Sequence, residues 1–479
     1  MITIEKLPQK QVLHFQGAAA FGVERLAAYY RASNHEICEY SLGIKLMWET
    51  TYRYAFAEVA GCLICRDEYD GITYFDYPIA GEGGDVEAAL LAIEEYAAEQ
   101  DIPLRFTTLP PAVLGQLTAR YDGVRLRNTY YCRDYFYRVE EVRTFEGKKY
   151  AGQRNHIRRF YREHPTAHFR PLTEQDLPAL ERFADRFDAA FSKSGEEANA
   201  ERIAAFSILR MPGRDHYFRI GCMELDGEII GVAMGERCGH TLVEHVEKAL
   251  AKDYVGIYPA LYQAFVFTFG GDCEYVNRED DAADAGLRTS KLQYQPSHIA
   301  KKYDLDVENI LFTIEEPPSI ETARLTLDAI TDRDADAYGR LCLDDAHNRY
   351  WGYDYRDDLH GAVPDGAYFC RVVREDFVCR RTMSLAVRLN GSMIGEAVLY
   401  HLDNRGTAEL GVRILPEFEG LGYGREAFAA LAEWALYTLG LTRLVAKCFV
   451  QNQASAKLLS SVMRQVSSDS SMLYFEKNI

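Results

Sequence analysis

"LPEFEGLGYGREAFAALAEW" (Leu415–Trp434) places three glycines within five positions, directly before apolar residues at helical spacing. Glycine accepts backbone angles that other residues avoid, so Gly420, Gly422 and Gly424 can fold the loop with its N–H groups inward. Unpaired N–H groups at a helix start, with the positive end of the helix dipole, suit a pyrophosphate. The stretch therefore predicts a phosphate-holding turn, followed by a helix that Arg425 opens.

Two common phosphate loops do not fit this stretch. A Walker loop needs Gly-Lys-Ser/Thr where the helix starts, and the chain has Gly424, Arg425 and Glu426. A dinucleotide fold needs Gly-x-Gly-x-x-Gly and an acidic residue closing the next strand. The spacing here is Gly-x-Gly-x-Gly, and the next strand ends in residues 450–452, Val-Gln-Asn. A glycine-rich turn without a ligand stays open as an alternative.

The segment before the loop, "TAELGVRIL" (Thr407–Leu415), alternates as a strand does. Its apolar face is predicted to carry Leu410, Val412 and Ile414. Its other face is predicted to carry Glu409, Gly411 and Arg413. Pro416 cannot continue the pairing, so the strand ends where the loop begins.

Composition limits the classes of partner. The chain has 479 residues, enough for about three domains. Its net charge is −18, from 54 basic and 72 acidic side chains, and such a surface argues against broad nucleic-acid binding. One basic stretch, "KKYAGQRNHIRRFYREH" (Lys148–His164), is either a local functional patch or the solvated face of a helix. In the second case Ile157, Phe160 and Tyr161 would pack inward.

Signals of export, membrane insertion and metal binding are missing from the sequence. No apolar run is long enough to span a bilayer, and the start of the chain has no apolar signal core, so we expect a cytoplasmic protein without a membrane span. Cys62 and Cys65 have no second pair or histidine at ligand spacing. We therefore expect reduced thiols and no metal site.

An internal repeat indicates several copies of one unit. "LDGEIIGVA" from Leu225 and "LNGSMIGEA" from Leu389 each predict a hairpin with a tight Asp-Gly or Asn-Gly turn. Each is followed by a strand, a glycine-containing loop, a helix and another strand, which indicates a repeated α+β unit. "YAFAEVAGCLICRDEYDGITYFDYP" from Tyr54 predicts a third, more divergent copy. The Pro-Pro pair at Pro317 breaks helices and strands, and the predicted domains are residues 1–145, 146–314 and 319–479.

Residues 319–479 resemble the GNAT superfamily of acyl-coenzyme A N-acyltransferases. The family's loop pattern, Gln/Arg-x-x-Gly-x-Gly/Ala, is matched by Glu419, Gly422 and Gly424, with a glutamate in the first position. "NQASAKLL" from Asn452 fits the segment after the next strand. "AELGV" and "NRYWGYD" from Asn348 are similar to the branch that acetylates protein N-termini and small amines.

The resemblance implies transfer of an acetyl group from acetyl-CoA, as co-substrate, to a peptide or small-molecule amine. Glu409 would serve as general base, and its alternative role is a surface ion pair with Arg413. Many members of the family have a tyrosine that serves as general acid, and this sequence has Leu459 at that position. The implied cofactor-binding residues are Val412, Arg413, Ile414, Glu419, Gly420, Leu421, Gly422, Tyr423, Gly424, Arg425, Asn452 and Ser455.

Residues 10–312 resemble the soluble family named after the carboxy-terminal domain of bacterial phosphatidylglycerol lysyltransferases. The motifs are "KKYAGQRNHIRRF", "VEHVEKA", "GIYPALYQAF" and "YVNREDDAADAGLRTSKLQYQP". That family is a pair of GNAT-like folds, so the expected fold is α+β with three GNAT-like units. Each unit would be a mixed, mostly antiparallel sheet flanked by helices.

The second resemblance leaves the role of residues 1–316 open. In the membrane enzymes this domain takes an aminoacyl group from charged tRNA, so tRNA is one expected partner. A non-catalytic ligand-binding module is the other interpretation. Pro259 lacks an N–H at the loop of the middle copy, which argues against coenzyme A there. "REDDAADAGLR" (Arg278–Arg288) is either a solvated loop with a helix cap or an amine or aminoacyl pocket.

Overall fold

The computed structural model describes residues 12–33, 35, 37–100, 102–121, 123–128, 132–191, 196–351 and 363–479. They form two compact units. The first contains residues 1–115 and 126–306, and the second contains residues 116–125 and 307–479. Three mixed sheets flanked by helices confirm the predicted α+β class. Within the described ranges, no helix combines the length and the apolar character needed to cross a bilayer.

The elements follow in chain order. The first strands are β1 (Ala55–Val59), β2 (Cys62–Tyr69), β3 (Ile72–Phe75), β4 (Ile79–Ala80), β5 (Arg105–Leu109) and β6 (Gly123–Arg127). The next are β7 (Asp134–Arg138), β8 (His168–Pro171), β9 (Arg219–Leu225), β10 (Glu228–Cys238), β11 (Thr241–Ala249), β12 (Tyr275–Asn277), β13 (His298–Ala300) and β14 (Tyr303–Glu308). The last are β15 (Ile320–Glu321), β16 (Leu325–Ala329), β17 (Met383–Leu389), β18 (Ser392–Tyr400), β19 (Thr407–Ile414), β20 (Arg443–Phe449), β21 (Arg464–Ser468) and β22 (Met472–Asn478).

The α-helices lie between these strands. The earlier ones are α1 (Ala18–Phe21), α2 (Val23–Ala32), α3 (Leu42–Met47), α4 (Glu49–Tyr52), α5 (Val86–Glu99), α6 (Pro111–Arg120), α7 (Val139–Thr144), α8 (Ala151–Glu163), α9 (Leu177–Phe191), α10 (Glu196–Arg210) and α11 (Arg214–Tyr217). The later ones are α12 (Ile257–Phe269), α13 (Ala285–Gln293), α14 (Ala335–Leu343), α15 (Asp345–Asn348), α16 (Gly366–Val378), α17 (Tyr423–Trp434) and α18 (Gln453–Ser460).

Each sheet contains one parallel pair, and the other strand pairs with a described register are antiparallel. The strand orders are β1-β2-β3-β5-β14-β6, with β4 beside β2, then β13-β7-β12-β11-β10-β9-β8, and β15-β16-β17-β18-β19-β20-β22-β21. The parallel pairs are β3–β5, β11–β12 and β19–β20. Strand β7 lies within residues 1–145 but pairs in the second sheet, and β14 lies within residues 146–314 but pairs in the first sheet. The first two sheets therefore exchange strands.

The two predicted hairpins are confirmed, and the third copy has a turn of the same kind. Asp70-Gly71, Asp226-Gly227 and Asn390-Gly391 join β2 to β3, β9 to β10 and β17 to β18. All six residues have positive φ, between 50° and 84°. Residues other than glycine, asparagine and aspartate seldom adopt these backbone angles. The Asp-Gly and Asn-Gly dipeptides therefore predict the turns.

The third sheet has an apolar core on the face toward α17. Leu410 and Ile414 of β19 are buried there with Phe428 and Leu431 of α17, and Val412 packs against the same cluster. The other face packs on α14 and α16 through a smaller cluster. The predicted alternation of β19 is therefore confirmed, since its apolar residues face the larger core.

Candidate active site

The glycine loop leads into an uncapped helix start. Gly420 and Gly422 have φ of 72° and 85°, and Gly422 precedes α17 without a side-chain cap. The helix begins at Tyr423, two residues before the predicted start, and the Glu426 N–H donates to the Gly422 carbonyl. By helix geometry, the N–H groups of residues 423–425 then have no partner within the helix. The loop is exposed and offers the donors that a pyrophosphate requires.

Arg324 supports this loop, and sequence reasoning missed it. Its Nη1 donates to the Leu421 carbonyl (3.1 Å), its Nε donates to Glu426 (2.7 Å), and its guanidinium lies 4.6 Å from the centre of the Tyr423 ring. A Cβ built on Gly422 would lie 3.4 Å from Arg324 Nη2. The loop therefore has a cation beside it, and the residue that supplies it lies 97 positions before Leu421 in the sequence. No local pattern indicates that contact.

Gly424 lies where the glycine loop contacts the neighbouring strand and helix. A Cβ there would lie 3.4 Å from both Ile414 Cγ1 and Leu458 Cδ1, so α17 approaches β19 and α18 closely at this point. Asn452 caps α18, because its Oδ1 accepts the Ser455 N–H at 3.1 Å. The loop, the end of β19 and the start of α18 thus lie together.

Beyond Glu409, β19 has an open edge toward β20. The parallel pairing runs from Thr407↔Arg443 to Glu409↔Val445, and β19 continues to Ile414 without β20. The Gly406 carbonyl accepts N–H groups from Thr442 and Arg443 on this side, while the Leu415 N–H donates to Ile394 on the opposite side. Strand alternation then directs the backbone groups of Val412 and Ile414 into the gap.

Glu409 lies at the point where the two strands separate. It is only 5% exposed. Its Oε1 accepts from the Tyr400 hydroxyl (2.8 Å), and its Oε2 lies 2.9 Å from His401 Nδ1 and 3.3 Å from Lys447 Nζ. Burial and the neighbouring Glu409 raise the pKa of Tyr400. The sequence did not indicate Tyr400, His401 or Lys447, which reach Glu409 through strand register.

The alternative role for Glu409, a surface ion pair with Arg413, is wrong. Arg413 binds Glu396 directly across the strands (Nε to Oε2, 2.8 Å) and donates to Asn348 Oδ1 (2.9 Å). Its guanidinium also lies 4.6 Å from the Trp351 ring centre. The Arg413 side chain is thus on the face opposite α17. The rest of the "NRYWGYD" motif, residues 352–354, lies outside the described residues.

Leu459, at the family's frequent tyrosine position, is buried in the apolar core. Its side chain carries no titratable proton, so a departing thiolate would need another proton source.

The first sheet differs from the third at the corresponding helix start. Strand β3 pairs with β5 only at Phe75↔Phe106. The next residue, Asp76, forms a buried ion pair with Lys45 of α3 (2.6 Å). At the corresponding helix, α5, the carboxylate of Asp85 accepts the Ala88 N–H (3.1 Å). The helix start therefore already holds an anion, and a phosphate there would meet like charge.

The second sheet is closed in a different way. Its parallel pairing ends at Val243↔Asn277, and the buried Arg278 then binds Glu244 (2.7 Å) and Glu247 on the continuing part of β11. Gly256 precedes α12 with φ of 88°, but a Cβ there would collide with the His156 carbonyl of α8. The basic helix α8 thus packs over the start of α12.

Helix α8 has both structural and exposed cations. Ile157 and Phe160 are buried in the second core, as the helix interpretation predicts. Arg154 donates to the carbonyls of Phe145 and Gly147 (2.6 Å to the latter). Lys148, Arg158 and Arg162 are exposed. The basic stretch is therefore a packed helix with a charged outer face.

The acidic segment 278–288 is a solvated loop and helix start anchored by one buried acid, since residues 282–287 are exposed. Asp281 is buried, binds Arg288 (2.7 Å) and accepts from the Tyr135 hydroxyl (2.6 Å). Lys291 is also buried, and burial lowers its pKa. The helix cap is present as well, since Asp284 accepts the Leu287 N–H at the start of α13.

A second buried charge cluster lies nearby. Ligand atoms of Cys38, Glu39 and Asp134 lie close enough together to hold a metal. The ammonium of Lys302 is already among them, 2.6 Å from Glu39, 2.6 Å from Asp134 and 3.3 Å from the Cys38 sulfur. The three residues therefore do not fit a metal, because an internal cation fills the position. Burial raises the pKa of Glu39 to about 7, although Lys302 opposes the shift.

Comparison with known proteins separates two regions. The family described as phosphatidylglycerol lysyltransferase, C-terminal, matches residues 30–305, and the acetyltransferase (GNAT) domain family matches residues 324–462. The uncharacterized N-acetyltransferase YoaA of Bacillus subtilis is 30% identical over 143 residues, which are 30% of this chain and 80% of that protein. Both resemblances expected from the sequence are confirmed.

Two further matches have lower sequence identity. The uncharacterized protein MYCGA3080 of Mycoplasmoides gallisepticum is 24% identical over 177 residues, which are 36% of this chain and 54% of that protein. A crystal structure of a conserved protein of unknown function from Bacteroides thetaiotaomicron shares the fold. It is 23% identical with a TM-score of 0.58, over 62% of this chain and 100% of that one. The chain belongs to the phosphatidylglycerol lysyltransferase C-terminal family, and its C-terminal region is a GNAT acyltransferase domain.

Proposed function

We propose that residues 319–479 transfer an acetyl group from acetyl-CoA to an amine, either a protein N-terminus or a small amine, in the cytoplasm. One observation carries the proposal. Among the described residues, the third sheet combines an uncapped glycine turn with an open strand edge. In the first sheet an aspartate caps the corresponding helix start, and in the second sheet a helix covers that start and a buried arginine ion pair fills the strand gap.

The proposed binding roles follow the geometry. The N–H groups of Gly420–Arg425 hold the pyrophosphate, with Glu419 at the rim of the loop. The backbone of Val412–Ile414 pairs with the pantetheine arm and polarises the thioester carbonyl. Asn452 retains its amide N–H₂ for that arm, because only its Oδ1 is used in the cap. Ser455 lies one helical turn further on.

Glu409 is the proposed general base. An amine must lose a proton before it attacks, and a carboxylate beside the reacting carbon can accept that proton directly or through water. The buried Glu409 is linked to solvent through His401, whose ring is largely exposed. His401 is the one imidazole among the described contacts of Glu409. The departing thiolate takes its proton from water or from another group, such as the attacking nitrogen.

Calorimetry with acetyl-CoA tests the proposal. We expect one binding event per chain, and Gly422→Val should abolish it, because a branched side chain blocks the backbone angles and the phosphate. Gly391→Val is the matched control. Gly391 has nearly the same φ, 83°, but lies in the β17–β18 turn. Both variants carry similar backbone strain, and only the second should bind. No heat with the wild-type chain at millimolar acetyl-CoA would refute the proposal.

A second candidate function concerns residues 1–316. Aminoacyl transfer from charged tRNA is what the family resemblance implies, and exposed cations are present at Lys148, before α8, and at Arg158 and Arg162 on α8. A gel shift with bulk tRNA at low salt tests it, since even a few phosphate contacts give binding there. The double variant Arg158→Glu/Arg162→Glu should weaken the shift. Absence of any shift would favour a non-catalytic ligand-binding module.

A further inference from the structure

Lys447 spans the gap between the two separated strands of the third sheet. Strand β20 last pairs with β19 at Val445, and Lys447 follows two residues later on the same face. Its Nζ reaches back to Glu409 Oε2 on β19, at 3.3 Å. The Lys447 side chain is 44% exposed, whereas that of Glu409 is 7% exposed. An alkyl ammonium therefore stands at the proposed base, on the side open to solvent.

The described partners of Glu409 differ in chemistry. Tyr400 and His401 offer a phenol and an imidazole, and Lys447 is the one primary amine among them. The backbone groups of Val412 and Ile414, proposed to hold the donor, begin three residues beyond Glu409 on the same strand. The amine of Lys447 thus has the position that an external acceptor would need, beside the base and across the mouth of the donor cleft.

We propose that Lys447 is acetylated by its own domain. The inference rests on the proposed function, because the donor is acetyl-CoA. Glu409 takes one proton from the Lys447 ammonium, and the neutral nitrogen attacks the acetyl carbonyl carbon. A C–N bond forms and the C–S bond breaks. The nitrogen's second proton goes to the leaving thiolate, and Glu409 passes its proton to solvent through His401. The products are Nε-acetyllysine and coenzyme A.

The modification also limits itself. An acetylated Lys447 is neutral, so Glu409 loses its ammonium partner and an amide fills the mouth of the cleft. Each chain would accept one acetyl group at this position, and external amines would then compete poorly for the same space.

Peptide mass spectrometry of the full chain after incubation with acetyl-CoA tests the proposal. Trypsin cuts after unmodified lysine, so acetylation joins residues 444–447 to residues 448–457 in one peptide. Lys457 on α18 is an exposed lysine of the same domain and serves as the internal control. We expect Lys447 to be modified at least about 100-fold faster than Lys457, as a positioned base provides. The rate should not depend on protein concentration.

Three variants sharpen the test. Glu409→Gln should slow the modification of Lys447 by about 100-fold or more while acetyl-CoA still binds. Gly422→Val should prevent it and Gly391→Val should not, which provides a second comparison if Glu409→Gln fails to fold. Acetic anhydride, which needs no binding site, should label Lys457 at least as readily as Lys447.

The outcomes separate the two proposals. If acetyl-CoA binds and Lys447 is modified no faster than Lys457, self-acetylation is wrong and the proposed function stands. If acetyl-CoA does not bind, both are wrong. Rapid modification of Lys447 that survives Gly422→Val would also overturn the inference, because it would not require the cofactor loop.

Discussion

Replacing Glu419 by glutamine is expected to tighten acetyl-CoA binding. Glu419 is exposed and follows the 3₁₀ turn Pro416–Phe418, directly before Gly420. Its carboxylate would lie at the rim of a pyrophosphate held by the loop. Two charges about 6 Å apart at an effective dielectric of about 20 repel by roughly 2–3 kcal/mol.

Two features of the structure reduce that repulsion. Solvent screens a carboxylate at this exposed position, and the Arg324 guanidinium, bonded to the Leu421 carbonyl, offsets the negative charge at the loop. If a third to a half of the repulsion survives, Glu419→Gln lowers Kd by about threefold to tenfold. Arg324→Gln should weaken acetyl-CoA binding, because it removes a cation beside the loop and a hydrogen bond that supports the loop.

Titration calorimetry at low and at high salt measures the effect, which should shrink as salt screens it. Glu417→Gln is the matched control. Glu417 is also exposed, carries the same charge two residues away and is paired with Arg340 at 2.5 Å. Equal tightening in both variants would mean that net charge alone acts. Weaker binding by Glu419→Gln would refute the reasoning and make this glutamate a structural part of the loop.

Three predictions concern stability. Hydrogen bonds to Glu236 and Glu279 raise the pKa of His245 to about 9, although burial alone would lower it. The stabilisation that the charged His245 gives the folded protein is therefore fully present below about pH 6.5 and is lost as pH rises through about 9. His245→Gln should flatten the fall in melting temperature over that pH range. Lys45→Met should lower the free energy of unfolding by about 3–5 kcal/mol in urea titrations, and adding Asp76→Leu should recover most of it, because an unpaired buried charge is the costly state. Asp85→Ala should cost about 1 kcal/mol in the same titrations and leave acetyl-CoA binding unchanged.

Local patterns in the sequence predicted much of the fold. The Asp-Gly and Asn-Gly turns, the alternation of β19 and the glycine turn before α17 depend on neighbouring residues, since φ preferences and strand periodicity act over a few positions. The repeated order of these local features was enough to predict several copies of one α+β unit. The same patterns carried the resemblance to two families, which the comparisons confirmed.

The tertiary structure decided which copy keeps an open cleft. Nothing in the glycine content of the first two copies indicates that Asp85 caps α5, that α8 covers Gly256, or that Arg278 fills the gap beyond β12. The exchange of β7 and β14 between the first two sheets is likewise invisible in the local pattern.

The surroundings of Glu409 show the physical reason. The sequence placed it on the polar face of a strand, but its partners come from the end of β18 and from β20, 38 residues away in the case of Lys447. Which side chains meet across a sheet depends on strand register, and register depends on the packing of whole faces against their helices. That packing is a property of the assembled core, so Glu409 alone was predictable from the sequence, and His401, Tyr400 and Lys447 required the fold.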